Sequence, residues 1–181
     1  MKIKKTKLPE NSILLQKGIK YDYIDSYEGF VRTSKDTISA TEIGKAFFRS
    51  GPDWVEKLFS FRNKVVKLIG LKIPKGVQDK QSQLEKFNCE PGDRIGLFKV
   101  FEKTEHEVIL GEDDKHLNFR VSLLIHTDGN DPMKKELAIS TAVVFNNWMG
   151  KLYFLPVRPF HHLIVPTMLK GMIRELEKEA I

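Results

Sequence analysis

The chain has 181 residues, 41% hydrophobic and 30% charged, with twelve Phe, two Trp and a formal charge of +6. That length supports one domain with one well-buried core, and no run approaches the roughly 18 apolar residues of a membrane helix. The single cysteine, Cys89, excludes an internal disulfide and fits a reducing compartment, so the expected location is cytoplasmic.

The charge is concentrated at one end. Residues 1–20 hold Lys2, Lys4, Lys5, Lys7, Lys17 and Lys20 against Glu10, a net +5 that leaves +1 for the rest. Residues 1–19 therefore read as a basic, solubilising leader before a single domain at 20–181. Its "SILL" is too short for the apolar core of a signal peptide. Such a leader gives phosphates non-specific affinity. The body carries no nucleic-acid motif, so specific nucleic-acid binding is not expected.

"YDYIDSYEGFVR" (21–32) alternates roughly between polar and apolar residues and reads as a strand. "DTISATEIGKAFF" then offers Thr37, Ser39 and Thr41 as caps for a short helix ending near "RSG". A second helix is predicted from Pro52 to Gly70, with Trp54, Leu58, Phe61, Val65 and Leu68 at helical spacing. From 71 to 93 the pattern breaks down, and a short helix, an extra strand or a lid are all compatible with it.

Strand signals follow at 94–102, 107–112, 116–126 and 137–147, joined by "KTEH", "DDK" and "TDGNDPMKK", which predicts an antiparallel meander. Along 116–126, Leu117, Phe119, Val121, Leu123 and Ile125 share one face, and His116, Asn118, Arg120 and Ser122 the other. Exposing the five apolar side chains would cost about 1.5–3 kcal/mol each, so the polar four are expected on the solvent side, with "DDK" as the turn. The end of the chain returns to helical spacing, with Phe160, Ile164, Met168 and Met172 along one side. Pro159 suits a helix start and Pro166 a kink or interruption, and 150–157 reads equally as a last strand or as a preceding turn of helix. The order predicts an α+β fold in which a curved antiparallel sheet grips a long C-terminal helix, with two short helices after the first strand. An apolar cavity is the natural result of closing a straight helix onto a curved sheet.

This order resembles the START-like helix-grip superfamily (SRPBCC), which includes birch-allergen-like and polyketide-cyclase-like proteins. More narrowly, "DYIDSY", "WVEKLFSFRNKVVKLIGLK", "GLFKV", "GEDDKHLNFRVS" and "GKLYFLPVRPFHHLIVPTML" are similar to a bacterial family of domains of unknown function. Related domains are sometimes fused behind an epimerase-like dinucleotide-binding domain, but no Gly-rich nucleotide fingerprint occurs here. The resemblance implies a deep hydrophobic cavity for lipid-like, sterol-like or polyketide-like molecules. The narrow family brings no catalytic residues to transfer. Asn118 departs from its pattern, where a carboxylate is more usual, which puts any metal or base role at that position in doubt.

Arg62 falls inside the apolar stripe of its helix. It reads as an anchor for an anionic head group, as a structural ion pair, or as a stem packed on the core with its head in water. His161 aligns with Ile164, Met168 and Met172 and is expected to face the sheet, as a ligand donor, a general base or a hydrogen-bonded core histidine. His162 lies near the edge of that stripe, and adjacent histidines on a helix make a poor metal pair. The candidate ligand contacts are Arg62, His161, Phe61, Val65, Met168, Met172 and Tyr153. Asp113, Asp114, His116 and Arg120 form a candidate polar rim. No P-loop, Gly-x-Ser-x-Gly, His-Glu-x-x-His or paired Cys-x-x-Cys occurs, so neither cofactor nor metal is expected. Three functions follow: non-catalytic binding of a small hydrophobic or amphipathic molecule, an enzyme acting on such a molecule with His161 as base, or a packed-core interaction protein. Nothing in the sequence sets the oligomeric state.

Overall fold

A computed structural model of the chain describes residues 1–16, 18–51, 80–128 and 131–178. Its strands are β1 (Lys4–Thr6), β2 (Tyr23–Arg32), β3 (Arg94–Ile95), β4 (Phe98–Lys103), β5 (Glu107–Asp113), β6 (Leu117–Asp128) and β7 (Asp131–Phe145). The helices are α1 (Ile13–Gln16), α2 (Ala40–Arg49), α3 (Lys80–Lys86) and α4 (Trp148–Lys178). The strands form one antiparallel sheet in the order β1-β2-β7-β6-β5-β4-β3. Two short helices, α2 and α3, follow the first long strand, and α4 lies in the grip of the sheet. The architecture is therefore the expected α+β helix-grip arrangement. The helix predicted over 52–70 lies outside the described residues.

The period-2 alternation of the strands separates two faces. On the inner face, Val31 of β2, Val100 of β4, Leu110 of β5, Leu123 and Ile125 of β6 and Leu137 and Ile139 of β7 join the main core. Leu169, Met172, Ile173 and Leu176 of α4 and Ile43 and Phe47 of α2 close over them. Ser39 caps α2 through a reciprocal capping box with Glu42, which satisfies otherwise orphaned N–H groups at the helix start. Asn147 caps α4, its Oδ1 accepting from the Gly150 N–H at 3.2 Å. Strand β7 thus stops at Phe145 rather than 147, because the asparagine pair turns the chain into the helix.

Three expectations need correction. The C-terminal helix begins at Trp148, so 150–157 is helix rather than a last strand and Pro159 is not the start, and it contains Pro156, Pro159 and Pro166 without interruption. Each proline removes a backbone donor, but Phe154 on one side and Val165 and Leu169 on the other are buried, and packing of this kind outweighs local propensity. Phe160 does not face the sheet: it is 49% exposed, as are Trp148, Leu152, Leu155 and Leu163 to a greater extent. Finally, Ser122 lies on the outer face as expected but is fully buried.

The reason is the basic leader. Residues Lys4–Thr6 pair with β2 as an edge strand, and Ile13 and Leu14 of α1 cover Ile109 and Ala142 on the outer face. Glu107, only 2% exposed, ties this layer down. Its carboxylate accepts from the Ser12 hydroxyl at 2.6 Å, the Ile13 N–H at 2.8 Å and the Ser122 hydroxyl. Charge patterning marked these residues as solvated, but the short apolar run between the lysines needed a surface, and the sheet supplies one.

Candidate functional site

On the inner face the apolar packing is divided. Leu117, Val143 and Phe154, with Tyr23, Tyr153 and Val157 packed against them, form one cluster near the start of α4. The main core begins at Tyr27 on β2, Ile139 on β7 and Val165 on α4. Between the two, alternation places Asp25 on β2 and Thr141 on β7, and the helix brings His161 and His162 over them. A polar seam therefore crosses the sheet–helix interface.

Asp25 is its centre and is 4% exposed. Its Oδ2 accepts from the Tyr23 hydroxyl at 2.7 Å and from His161 Nδ1 at 3.0 Å. His162 Nδ1 lies 3.7 Å from the same oxygen and hydrogen-bonds the Tyr27 hydroxyl at 3.0 Å. Burial raises the Asp25 carboxyl pKa. The hydrogen bond and charge of His161, then the Tyr23 hydroxyl and the His162 charge, together outweigh burial and hold it below its ordinary value of 3.8. Burial, and then Asp25 itself, push the Tyr23 and Tyr27 hydroxyls up, so both tyrosines stay protonated at neutral pH. The arrangement is an ionised carboxylate held by neutral donors and an imidazole.

Of the residues singled out in the sequence, His161 reaches this seam. Met168 and Met172 are buried in the main core on the next turns of α4, and Tyr153 packs partly buried in the upper cluster. Arg62, Phe61 and Val65 lie outside the described residues. The four rim candidates do not converge on the seam. Arg120 points to the outer face, stacked over Phe101 at 3.5 Å and paired with Asp113 at 2.7 Å. Alternation from inward-facing Val100 puts Phe101 with the outer cluster. The Asp114 carbonyl accepts from the Asn146 side chain at 2.7 Å. His116 Nδ1 bonds Asn147 Oδ1 at 3.1 Å, which supports the α4 cap.

Asp25, Tyr23, Tyr27 and Thr141 were not among the sequence candidates. One signal was available: in "YIDSY" the aspartate shares its face with two tyrosines at i−2 and i+2, on a strand whose far end is inward-facing Val31. A carboxylate on an inward face is an exception that asks for a reason.

Two pockets lie elsewhere. One, of about 100 Å³, is lined by Asp36, His106, His126 and Lys135 among others. The other, of about 220 Å³, is lined by Gln83, Lys86, Phe87, Asp93 and Arg94. Both fall below the roughly 300 Å³ of an ordinary small-molecule site. Among the described residues no group of His, Cys, Asp and Glu is arranged to hold a metal ion, and no helix is long and apolar enough to cross a membrane.

Residues 19–168 match the model of a family described as "Protein of unknown function (DUF2867)". A search of curated proteins gave no match.

Proposed function

The chain belongs to the DUF2867 family, and from that premise and the seam geometry we propose that it binds a small hydrophobic or amphipathic molecule between the sheet and α4, without catalysis. The helix-grip arrangement is a cavity-forming one, consistent with small-molecule binding, and it agrees at a general level with the SRPBCC superfamily. Under that likeness the ligand is lipid-, sterol- or polyketide-like. The observation that carries the proposal is Asp25: an ionised carboxylate placed between two apolar clusters, where burying charge costs several kcal/mol before compensation. A packed structural core has no use for that cost, whereas a binding site needs a few polar groups in an apolar wall. His161 and His162 complete the polar end, and Met168, Met172 and Tyr153 flank it. Arg62, Phe61 and Val65 are proposed as further contacts on the sequence pattern alone.

Native mass spectrometry of the gently purified protein tests this. The expected result is a reproducible extra mass of a few hundred daltons, released on denaturation and weakened by His161→Ala and by Asp25→Asn. A clean mass, repeated after exposure to a lipid and polyketide panel, overturns the proposal and favours an interaction protein.

A second reading rests on His161. Asp25 holds its Nδ1, and Nε2 has no partner among the described residues. That is the geometry of an oriented general base. Its test is turnover of a bound molecule, lost equally in His161→Gln and Asp25→Asn.

A further inference from the structure

Two buried atoms of the seam lack partners, and the residues that carry them are neighbours. Asp25 and Thr141 stand directly opposite each other in the β2–β7 register, which sets their Cβ atoms about 4.5–5.5 Å apart on one face. Each residue is 4% exposed. Asp25 Oδ1 and Thr141 Oγ1 have no hydrogen-bond partner among the described residues. The next pair along the same strands shows what a satisfied pair looks like: Ser26 and Ser140, on the other face, bond hydroxyl to hydroxyl at 2.7 Å. Buried polar atoms are rarely left open, and each one asks for a missing partner.

We propose that Asp25 and Thr141 hold the hydroxyl group of the bound molecule, its O–H donating to Asp25 Oδ1 and its oxygen accepting from the Thr141 hydroxyl. This names the ligand class for the binding function above, and it rests on that function. The class is an alcohol or phenol whose apolar body packs against the clusters on either side of the seam.

The open atoms discriminate between head groups. A carboxylate would set a second anion beside a buried one and be repelled. An ether accepts from Thr141 but leaves Asp25 Oδ1 without a donor. A primary ammonium can donate to both open oxygens, but its third N–H and the Thr141 hydroxyl proton then stay unmatched, and its charge loses its hydration. A hydroxyl matches one acceptor and one donor together.

Calorimetric titration of the full chain with 1-octanol, its methyl ether, octanoate and octylamine tests the assignment, alongside Thr141→Val. The octanol is expected to bind at least about tenfold tighter than the other three probes, the factor that one lost hydrogen bond represents. Thr141→Val keeps the side-chain shape and should weaken octanol by about tenfold. It should also raise the melting temperature of the ligand-free protein, since a methyl replaces an unpaired buried hydroxyl. Equal or tighter binding of the ether, octanoate or octylamine overturns the hydroxyl assignment and leaves the binding function standing. A lowered melting temperature in Thr141→Val, with no octanol bound, identifies a resident water or a direct Thr141–Asp25 hydrogen bond and also overturns it. If none of the four binds and the native mass is clean, the binding function itself fails.

Discussion

Asp25 and His161 meet across the sheet–helix interface, Oδ2 to Nδ1 at 3.0 Å, although they stand 136 positions apart in the chain. The contact joins β2, early in the sequence, to α4, the last helix. Both partners are largely withdrawn from water, so their attraction is weakly screened, but both have also lost hydration. Removing either partner should therefore cost more than the intact pair contributes. The interaction makes the seam a fixed polar feature of the interface.

The acid limb of stability should report Asp25. Its folded pKa lies below 3.8, so the stability it contributes is fully present above that value and is lost as pH falls through the lower folded pKa. At neutral pH, Asp25→Asn is expected to cost about 2–4 kcal/mol. Urea melts of the two proteins should converge below about pH 4. A gap that stays constant into strong acid would show that the carboxylate charge contributes nothing.

The N-terminal layer should depend on Glu107. Its removal leaves two hydroxyls and the Ile13 N–H without their buried acceptor. Glu107→Ala is expected to cost about 2–4 kcal/mol. Hydrogen exchange at Ile13 and Leu14 should accelerate more than exchange at Leu123 in the sheet centre. Unchanged protection of residues 13–14 would mean that apolar contact alone holds α1.

Strand alternation made the inner face legible: Leu117 to Ile125 stand where period 2 puts them, and Met172 and Leu169 face the sheet as helical spacing requires. Two things were not legible, for physical reasons. Ile13 and Leu14 sit in a lysine-rich segment, and local composition cannot show that a distant glutamate will receive them. The tyrosines at i−2 and i+2 hint that Asp25 faces inward, but the partner that compensates its burial is on the last helix and could not be read. Pairings separated by most of the chain leave no trace in a local window. His161 could be read because helix periodicity is itself local. Its function depends on Asp25, whose pairing is not.

Cys89 should be chemically silent. It is fully buried, and burial pushes its thiol up to about 12, far above the reactive range. At pH 8 the thiolate fraction is then about one in ten thousand. Iodoacetamide should leave the native protein unlabelled and modify it fully in denaturant. Rapid native labelling would mean that the core around Cys89 opens far more often than its packing implies.

The contact between α2 and α4 should be intolerant of a single methyl group. A Cβ built on Gly171 would lie 2.7 Å from the Ser50 carbonyl oxygen, the residue that ends α2. The neighbour is backbone, so no rotamer change relieves the overlap, and the helices must separate. Gly171→Ala is expected to cost about 1–3 kcal/mol despite the higher helix propensity of alanine. Lys170→Ala, one residue away on the exposed side of the helix, should stay within about 0.5 kcal/mol. Thermal melts of the two variants side by side check the claim. If Gly171→Ala melts at or above the wild-type temperature, propensity has won and the helices are not packed at this distance. Met168 is buried on α4 one turn before Gly171, so separating the helices should also shift the residues that flank the seam. For that reason the melts should be paired with the octanol titration. Weakened binding at a modest stability loss would show that the spacing between α2 and α4 sets the shape of the site.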